Sequence, residues 1–587
     1  VTNGGGGAST CRGHSVIRAR RDATTDPASH GIYLRDVRSG EVWSAAYQPT
    51  AQEPDDYVVT FHSDKASFRR RDGDISTQLD IAVSAEDDIE VHRLTLRQHG
   101  HRIREIDVTS YAEIALSPPR DDLAHPAFGK LFVETEFSPE NTALLCHRRP
   151  RDRADSVWAV HVLSQEGRTQ GAVEWESDRE RFIGRGRSLR RPLALDGRPL
   201  SGTTGVVLDP ICSLRRRVRL LPGQQVRLSF ATGMAHDRDG ALALAQKYHH
   251  PSAAARTFAL AFTHAQSLRH HLGASLEDAR VFERLASYLL YVDDSARASA
   301  EVLTANTLGQ SGLWRHGISG DLPILLVRVL GRDDDIAIVR QVLQAQEYWR
   351  LKGLIVDTVI LNEHPTSYLD EMQAQLTALF DTGPWRAWVH RPGGAYLLRR
   401  DALSEQERTL LAAVARVVLS SDRGDLRSHL DGLTPARPVA VVPPFVASAP
   451  RAVSVPFAGT PGKRPAIVLA TGLGGFTAGG RDYVVTLDGA EETPLPWTNV
   501  MANPVFGTIV TASGAAHTWA VNSRENRLTP FSNDPVIDPT AEALFIRDDG
   551  SGDVWTPTPG PRPRDASSGR FEIRHAPGVT RFARTAF

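Results

Sequence analysis

Short runs that alternate apolar and polar residues fill the N-terminal part of the chain. Tyr57-Val58-Val59-Thr60-Phe61, Ile89-Glu90-Val91-His92-Arg93-Leu94-Thr95-Leu96 and Gln225-Val226-Arg227-Leu228-Ser229-Phe230 keep a period of two. That period marks strands with one buried face. Turn signals such as Arg71-Asp72-Gly73-Asp74 and Leu221-Pro222-Gly223 separate them. Residues 1–235 therefore predict a large antiparallel β-sandwich. The pattern changes near residue 238. Gly240-Ala241-Leu242-Ala243-Leu244-Ala245 is helical in composition, Pro251 interrupts, and a second helical stretch runs from about 252 to 272. Residues 236–319 form a helical linker on this reading.

Residues 320–431 change again. Ile324-Leu325-Leu326-Val327-Arg328-Val329, the stretch 355–361 and Ala395-Tyr396-Leu397-Leu398 predict buried strands. A helix follows each. The first is capped by Asp333-Asp334-Asp335 and sets Ile336, Val339, Val342 and Leu343 on one face. The second starts at about Thr366, and the third runs from Ser404 to about Leu419. This alternation predicts a small parallel α/β layer with right-handed crossovers. Residues 432–458 are rich in proline, among them Pro435, Pro438, Pro443 and Pro444, and predict an extended linker. From 459 the strand pattern returns.

The returning segment repeats the first. Tyr33-Leu34-Arg35-Asp36-Val37-Arg38-Ser39-Gly40-Glu41-Val42-Trp43-Ser44 aligns without gaps to Phe545-Ile546-Arg547-Asp548-Asp549-Gly550-Ser551-Gly552-Asp553-Val554-Trp555-Thr556. Eight of the twelve pairs are identical or exchange only Ser for Thr or Glu for Asp. Asp26-Pro27 and Asp538-Pro539 sit upstream in the same register, and Val1-Thr2-Asn3-Gly4-Gly5 echoes Val510-Thr511-Ala512-Ser513-Gly514. Residues 57–68 loosely parallel 571–582. Residues 459–587 are thus expected to be the start of a second sandwich. A half-sandwich leaves strand edges unpaired, so the chain is expected to be an interior slice of a longer polypeptide.

Composition narrows the function classes. The chain has 587 residues, with 68 basic and 69 acidic side chains and a formal net charge of -1. Such a balance supplies no long-range field for nucleic acid or an anionic membrane. Arg69-Arg70-Arg71 and Arg215-Arg216-Arg217 are read as solvated strand faces. Cys11, Cys146 and Cys212 form no C-x-x-C pair, and Cys11 with His14 finds no second pair, so neither a disulfide framework nor a metal site is expected. No cofactor is expected, and a reducing compartment fits. No run of about 18 apolar residues offers this segment a membrane contact.

Several longer strings occur in an order that resembles one family. They include Gly31-Ile32-Tyr33-Leu34-Arg35-Asp36, Thr109-Ser110-Tyr111-Ala112-Glu113, His125-Pro126-Ala127-Phe128-Gly129-Lys130 and Gly309-Gln310-Ser311-Gly312-Leu313-Trp314-Arg315-His316-Gly317. In the repeat, Pro496-Trp497-Thr498-Asn499 precedes Asn522-Ser523-Arg524-Glu525-Asn526-Arg527-Leu528-Thr529-Pro530-Phe531-Ser532-Asn533-Asp534-Pro535. Together they resemble the cyclic β-1,2-glucan synthases, in the region related to family 36 glycosyltransferases and family 94 glycoside phosphorylases. The resemblance implies β-supersandwich domains joined by helices. It implies a β-glucan oligosaccharide and the rest of a parent polypeptide as partners, and a place on the cytoplasmic side of the inner membrane. It implies a catalytic (α/α)6 barrel beyond residue 587, so no catalytic residue is assigned.

The segment 313–323 is the local candidate for sugar contact. Trp314 offers a stacking face, Arg315, His316 and Asp321 offer hydrogen bonds, and glycines 312, 317 and 320 allow close approach. A tight structural turn entering the strand at Ile324 explains the same residues. Asp357, Glu363, Asp370 and Glu371 suggest paired carboxylates only by abundance. Gly472-Leu473-Gly474-Gly475 lacks the Gly-Lys-Ser/Thr of a phosphate loop.

Overall fold

A computed structural model describes residues 1–20, 22, 24–124, 126–150, 156–167, 169–330, 335–365, 371–433 and 464–585. The Asp333-Asp334 part of the expected cap, the start expected at Thr366 and the proline-rich stretch 434–458 lie outside the described residues. The chain divides into two units: residues 1–259 with 444–587, and residues 260–443.

In the first unit two antiparallel sheets form the expected sandwich. One orders Ser9–Cys11, His14–Ile17, Arg104–Ser117, Pro210–Leu220 and Thr169–Asp178, with His30–Asp36 also pairing Arg104–Ser117. The other runs from Gly205–Val206 through Val157–Glu166, Gln225–Ala235 and Ile89–Gln98 to Asp56–Phe61. Leu34, Phe68, Leu94, Val108, Leu144 and Leu228 meet in the shared core.

The strand Arg104–Ser117 is buried almost throughout, and its pleat sorts its residues into two chemistries. Ile106, Val108, Ala112 and Ile114 face the apolar core. Asp107, Thr109, Tyr111 and Glu113 alternate with them and are buried too. Ile183, Leu195 and Val536 cover Tyr111 there. One arginine of each run departs from the reading as a solvated face, while Arg69 and Arg71 are exposed and Arg216 and Arg217 half-buried. Arg70 and Arg215 point inward, where Arg70 meets Asp72 and the carbonyls of Ala46 and Gln52, and Arg215 meets Glu174.

The repeat is visible as geometry. Leu34 pairs Trp43, and Ile546 pairs Trp555. Asp36 N–H donates to the Glu41 carbonyl at 2.9 Å, and Asp548 N–H to that of Asp553 at 2.8 Å. Gly40 and Gly552 close the two hairpins at φ 75° and 79°, a conformation open to glycine without steric cost. The second copy continues as Tyr483–Asp488 paired with Arg570–Ala576 and that strand with Val579–Thr585, beside the meander Thr498–Asn503, Phe506–Thr511, Ala516–Ala520.

The second unit contains the expected parallel layer, with strands in the order Ala395–Arg399, Asp357–Asn362, Ile324–Val329, Val417–Ser420. The helix expected from Ser404 to Leu419 is shorter. It spans Glu405–Val414, and Val417–Ser420 is a fourth strand. The open edge of Ile324–Val329 claims this β-branched run, beginning with the Arg416 N–H bond to the Ile324 carbonyl at 2.9 Å.

Candidate functional site

The segment 313–323 sits at the N-terminal end of the parallel sheet. A 3₁₀ turn, Gln310–His316, ends at Gly317 in the left-handed region. Trp314 is 62% exposed, and its indole N–H donates to the Ser319 carbonyl at 3.3 Å. Gln310 bridges the Ser319 carbonyl and the Asp321 carboxylate, at 2.8 and 3.1 Å. The turn thus brings Trp314 and Asp321 together at the surface. Arg315 and His316 turn instead to Glu407, at 2.8 and 3.3 Å. Glu407 also completes the capping box of Ser404. The N–H and hydroxyl of Ser404, then Arg315 and His316, draw its carboxyl below the usual value. Arg315 and His316 therefore hold the turn to the helix Glu405–Val414, while Trp314 and Asp321 stay at the surface.

Asp357 and Glu363 do not make a catalytic pair. They stand at opposite ends of one strand, and six residues at about 3.3 Å each place them roughly 20 Å apart. Asp370 lies outside the described residues. Asp357 Oδ1 accepts the Gly393 N–H at 2.7 Å, and burial raises its pKa. Glu363 is held by the fork of Arg328, at 2.8 and 2.9 Å.

In the first unit the polar face of Arg104–Ser117 opens into an ion network that sequence reasoning missed. Arg179 is fully buried. Its guanidinium grips Asp534 with two bonds of 2.8 Å and reaches Asp209 at 3.0 Å and Glu113 at 3.4 Å. Lys130 joins at Asp209, 2.6 Å, and Arg20 at Glu113, 2.7 Å. Burial pushes the Glu113 carboxyl up, but Arg20, Arg179 and Arg18 outweigh it and hold it at about 2. Asp534 is lowered in the same way, with Arg179 overcoming burial. Glu113, Lys130 and Asp534 each belong to a string already singled out. Arg179 belongs to none, and no local pattern marks it.

Beside this network, residues of both copies border a groove. Two adjoining concavities of about 370 and 230 Å³ share Ile509, His517, Phe531 and Asn533. Phe128, 58% exposed, enters from the first copy, and Arg524 and Arg527 from the second. The Phe531 ring stacks on His517 with centroids 4.8 Å apart. His517 is buried, its Nδ1 lies 2.8 Å from the Thr529 carbonyl, and its Nε2, itself buried, has no hydrogen-bond partner among the described residues. Aromatic faces beside guanidiniums and an amide suit a polyhydroxylated ring, which presents C–H groups on its faces and hydroxyls at its rim. Among the described residues no group of three or more His, Cys, Asp or Glu could hold a metal ion. No described helix is long and apolar enough to cross a membrane.

The family model described as glycosyl hydrolase 94, supersandwich domain, matches residues 1–251 and 481–586. The chain is 35% identical over 597 aligned residues to the cyclic beta-(1,2)-glucan synthase NdvB of Rhizobium meliloti (strain 1021), covering 100% of this chain and 21% of that protein. It is 22% identical to the N,N'-diacetylchitobiose phosphorylase of Vibrio proteolyticus over 37% of this chain and 27% of the phosphorylase. Solabiose phosphorylase of Paenibacillus borealis is 23% identical over 40% of this chain and 31% of its own length. The chain therefore spans less than a third of each of these relatives.

Proposed function

The chain belongs to the glycosyl hydrolase 94 supersandwich family, and from that footing we propose that it binds and positions β-1,2-glucan within a cyclic β-1,2-glucan synthase-like glycosyltransferase or phosphorylase. The observation that carries this reading is the groove bordered by Phe128 and Phe531, where aromatic rings stand beside the guanidiniums of Arg524 and Arg527 and the amide of Asn533. Trp314 and Asp321 offer a second, more open contact of the same kind. The ion network around Arg179 supports a scaffold role, because it locks the two copies whose residues form the groove. Bond making and breaking is assigned to parts of the parent polypeptide outside these 587 residues. The same reading puts the segment on the cytoplasmic side of the inner membrane.

The test is a titration of the chain with β-1,2-gluco-oligosaccharides, followed by tryptophan fluorescence. Saturable binding is expected, and Phe531→Ala should weaken it about tenfold, since one lost aromatic platform is worth about 1–1.5 kcal/mol. Trp314→Ala should weaken it less. Absence of binding sinks the glucan reading. Turnover of the oligosaccharide by this chain with inorganic phosphate sinks the assignment of chemistry elsewhere.

A further inference from the structure

The duplication gives each copy a matching loop, and among the described residues only the second copy has it covered. In the second copy, Asp538 N–H donates to the Asp534 carbonyl at 2.9 Å, and the Asp538 carboxylate accepts from the Thr511 hydroxyl at 2.9 Å and from Ser513. The turn 184–187 of the first copy sits on this loop. Gly186 N–H donates to the Val536 carbonyl at 2.9 Å. Arg185 donates to the same carbonyl at 3.3 Å, reaches Asp538 Oδ2 at 3.4 Å and also bonds the Thr493 carbonyl at 3.2 Å. The side chains of Arg185 and Asp538 are each only 9% exposed.

The first copy builds a matching loop, except that Gly4 stands where Ser513 bonds Asp538. Asp26 N–H donates to the Asp22 carbonyl at 3.0 Å, and the Thr2 hydroxyl donates to Asp26 Oδ2 at 2.6 Å. Gly6 N–H donates to Thr2 Oγ1 and Ala515 N–H to Thr511 Oγ1, both at 3.1 Å. Gln48 N–H meets the Gly4 carbonyl at 2.7 Å, as Gly560 N–H meets that of Ser513 at 2.6 Å. Asp26 and Asp538 share a positive φ, 44° and 50°. Thr24 thus stands where Val536 stands, and Asp26 where Asp538 stands. Among the described residues, no arginine donates to Asp26 or to the Thr24 carbonyl. A concavity of about 640 Å³ opens there instead.

Its lining is acidic and aromatic. Asp26, Glu53, Asp55 and Asp56 contribute carboxylates, Tyr47 and Tyr57 contribute rings 6.5 Å apart, and among the described residues no lysine or arginine lines it. Arg190 and Arg70 both act on Tyr47, and Arg70, which also acts on Tyr57, is already committed to Asp72 and to the carbonyls of Ala46 and Gln52. Asp26 accepts from Thr2, Glu53 from Tyr47 and Asp55 from Gly73, each with lone pairs left for a cation.

We propose that this face is a docking site for an arginine-glycine turn of another β-sandwich of this kind. The guanidinium pairs with Asp26 and lies against the tyrosine rings, and the glycine N–H donates to the Thr24 carbonyl, as Arg185 and Gly186 do on the second copy. Sandwiches of this type would then be joined in series by one repeated contact. The proposal does not depend on glucan binding.

The probe is a disulfide-closed peptide carrying residues 183–189, titrated into the full chain by calorimetry at low salt. Saturable binding is expected, weakened about tenfold by Arg185→Ala in the peptide or by Asp26→Asn in the chain, as befits loss of a charge-assisted pair. Raised salt should weaken it as well. Because Asp26 also holds Thr2, Asp56→Asn on the exposed rim is the second variant, with an expected loss of about threefold. Thermal melts verify that both variants fold. The proposal is overturned if the folded chain does not bind the peptide. It is equally overturned if Arg185→Ala binds as well, or if neither chain variant changes the affinity, which would place the peptide elsewhere.

Discussion

Arg179 has no access to solvent, and a guanidinium is tolerated there only while anions occupy its donors. Asp534 supplies two of those bonds, from a residue 355 positions away in sequence. Removing one partner of a buried pair strands the other charge, which costs about 3–5 kcal/mol. Asp534→Ala is therefore expected to lower the unfolding free energy of the first unit by that amount in urea denaturation. Glu525→Ala removes an exposed pair with Arg524 and should change it by less than about 0.5 kcal/mol. A small cost for Asp534→Ala would mean that the network does not hold the copies together. Sequence reading reached Glu113, Lys130 and Asp534 only as members of family strings. Their pairing was not legible, because partners hundreds of residues apart leave no spacing to read. The candidates Trp314 and Asp321 were legible as exposed chemistry next to glycines. Arg315 and His316 looked the same in sequence, and only the packed helix shows that Glu407 takes them.

At the scale of elements, local rules were readable and competition between neighbours was not. The repeated hairpin was legible because its shape is fixed within twelve residues, by one aspartate at the turn and one glycine at positive φ. The strand Arg104–Ser117 was not singled out, since a segment buried on both faces has no simple alternation. Val417-Val418-Leu419 satisfies a helical stripe and a short strand alike, and the vacant edge of Ile324–Val329 decides for the strand. The preceding helix is anchored by its cap. Ser404 Oγ lies 3.3 Å from the Glu407 N–H as acceptor, while Glu407 Oε2 accepts the Ser404 N–H at 2.9 Å and Oε1 holds Arg315 and His316. Ser404→Ala should cost about 1 kcal/mol. Its particular mark is that amide exchange should quicken in the turn Gln310–His316 as well as in the helix Glu405–Val414. Faster exchange in the helix alone would detach the candidate turn from that cap.

For the whole molecule, acid separates the two units. In the first unit Glu113 and Glu90 each fall from 4.5 to about 2. At Glu113 the arginines overcome burial, and at Glu90 the hydrogen bond and charge of His92 do so. A depressed carboxyl stabilises the fold fully above its unfolded value and loses that contribution as pH falls from about 4.5 to about 2. Each of these shifts is worth on the order of 3 kcal/mol. Burial also holds His30 and His161 neutral, lowering them from 6.5 to about 4 and about 3. The unfolded chain takes up those protons first, so stability already erodes below about pH 6.5. The second unit is mixed. Glu407 is lowered, and burial lowers His429, so both lose stability in acid, but Asp357 is raised by burial and binds its proton more tightly when folded, which favours the fold as pH drops. The first unit is therefore expected to unfold at a higher pH than the second. Hydrogen exchange followed unit by unit from pH 7 to 2 checks this. Loss of both units in a single step, or loss of the second unit first, would refute it, and Glu113→Gln should flatten the lower part of the first unit's decline.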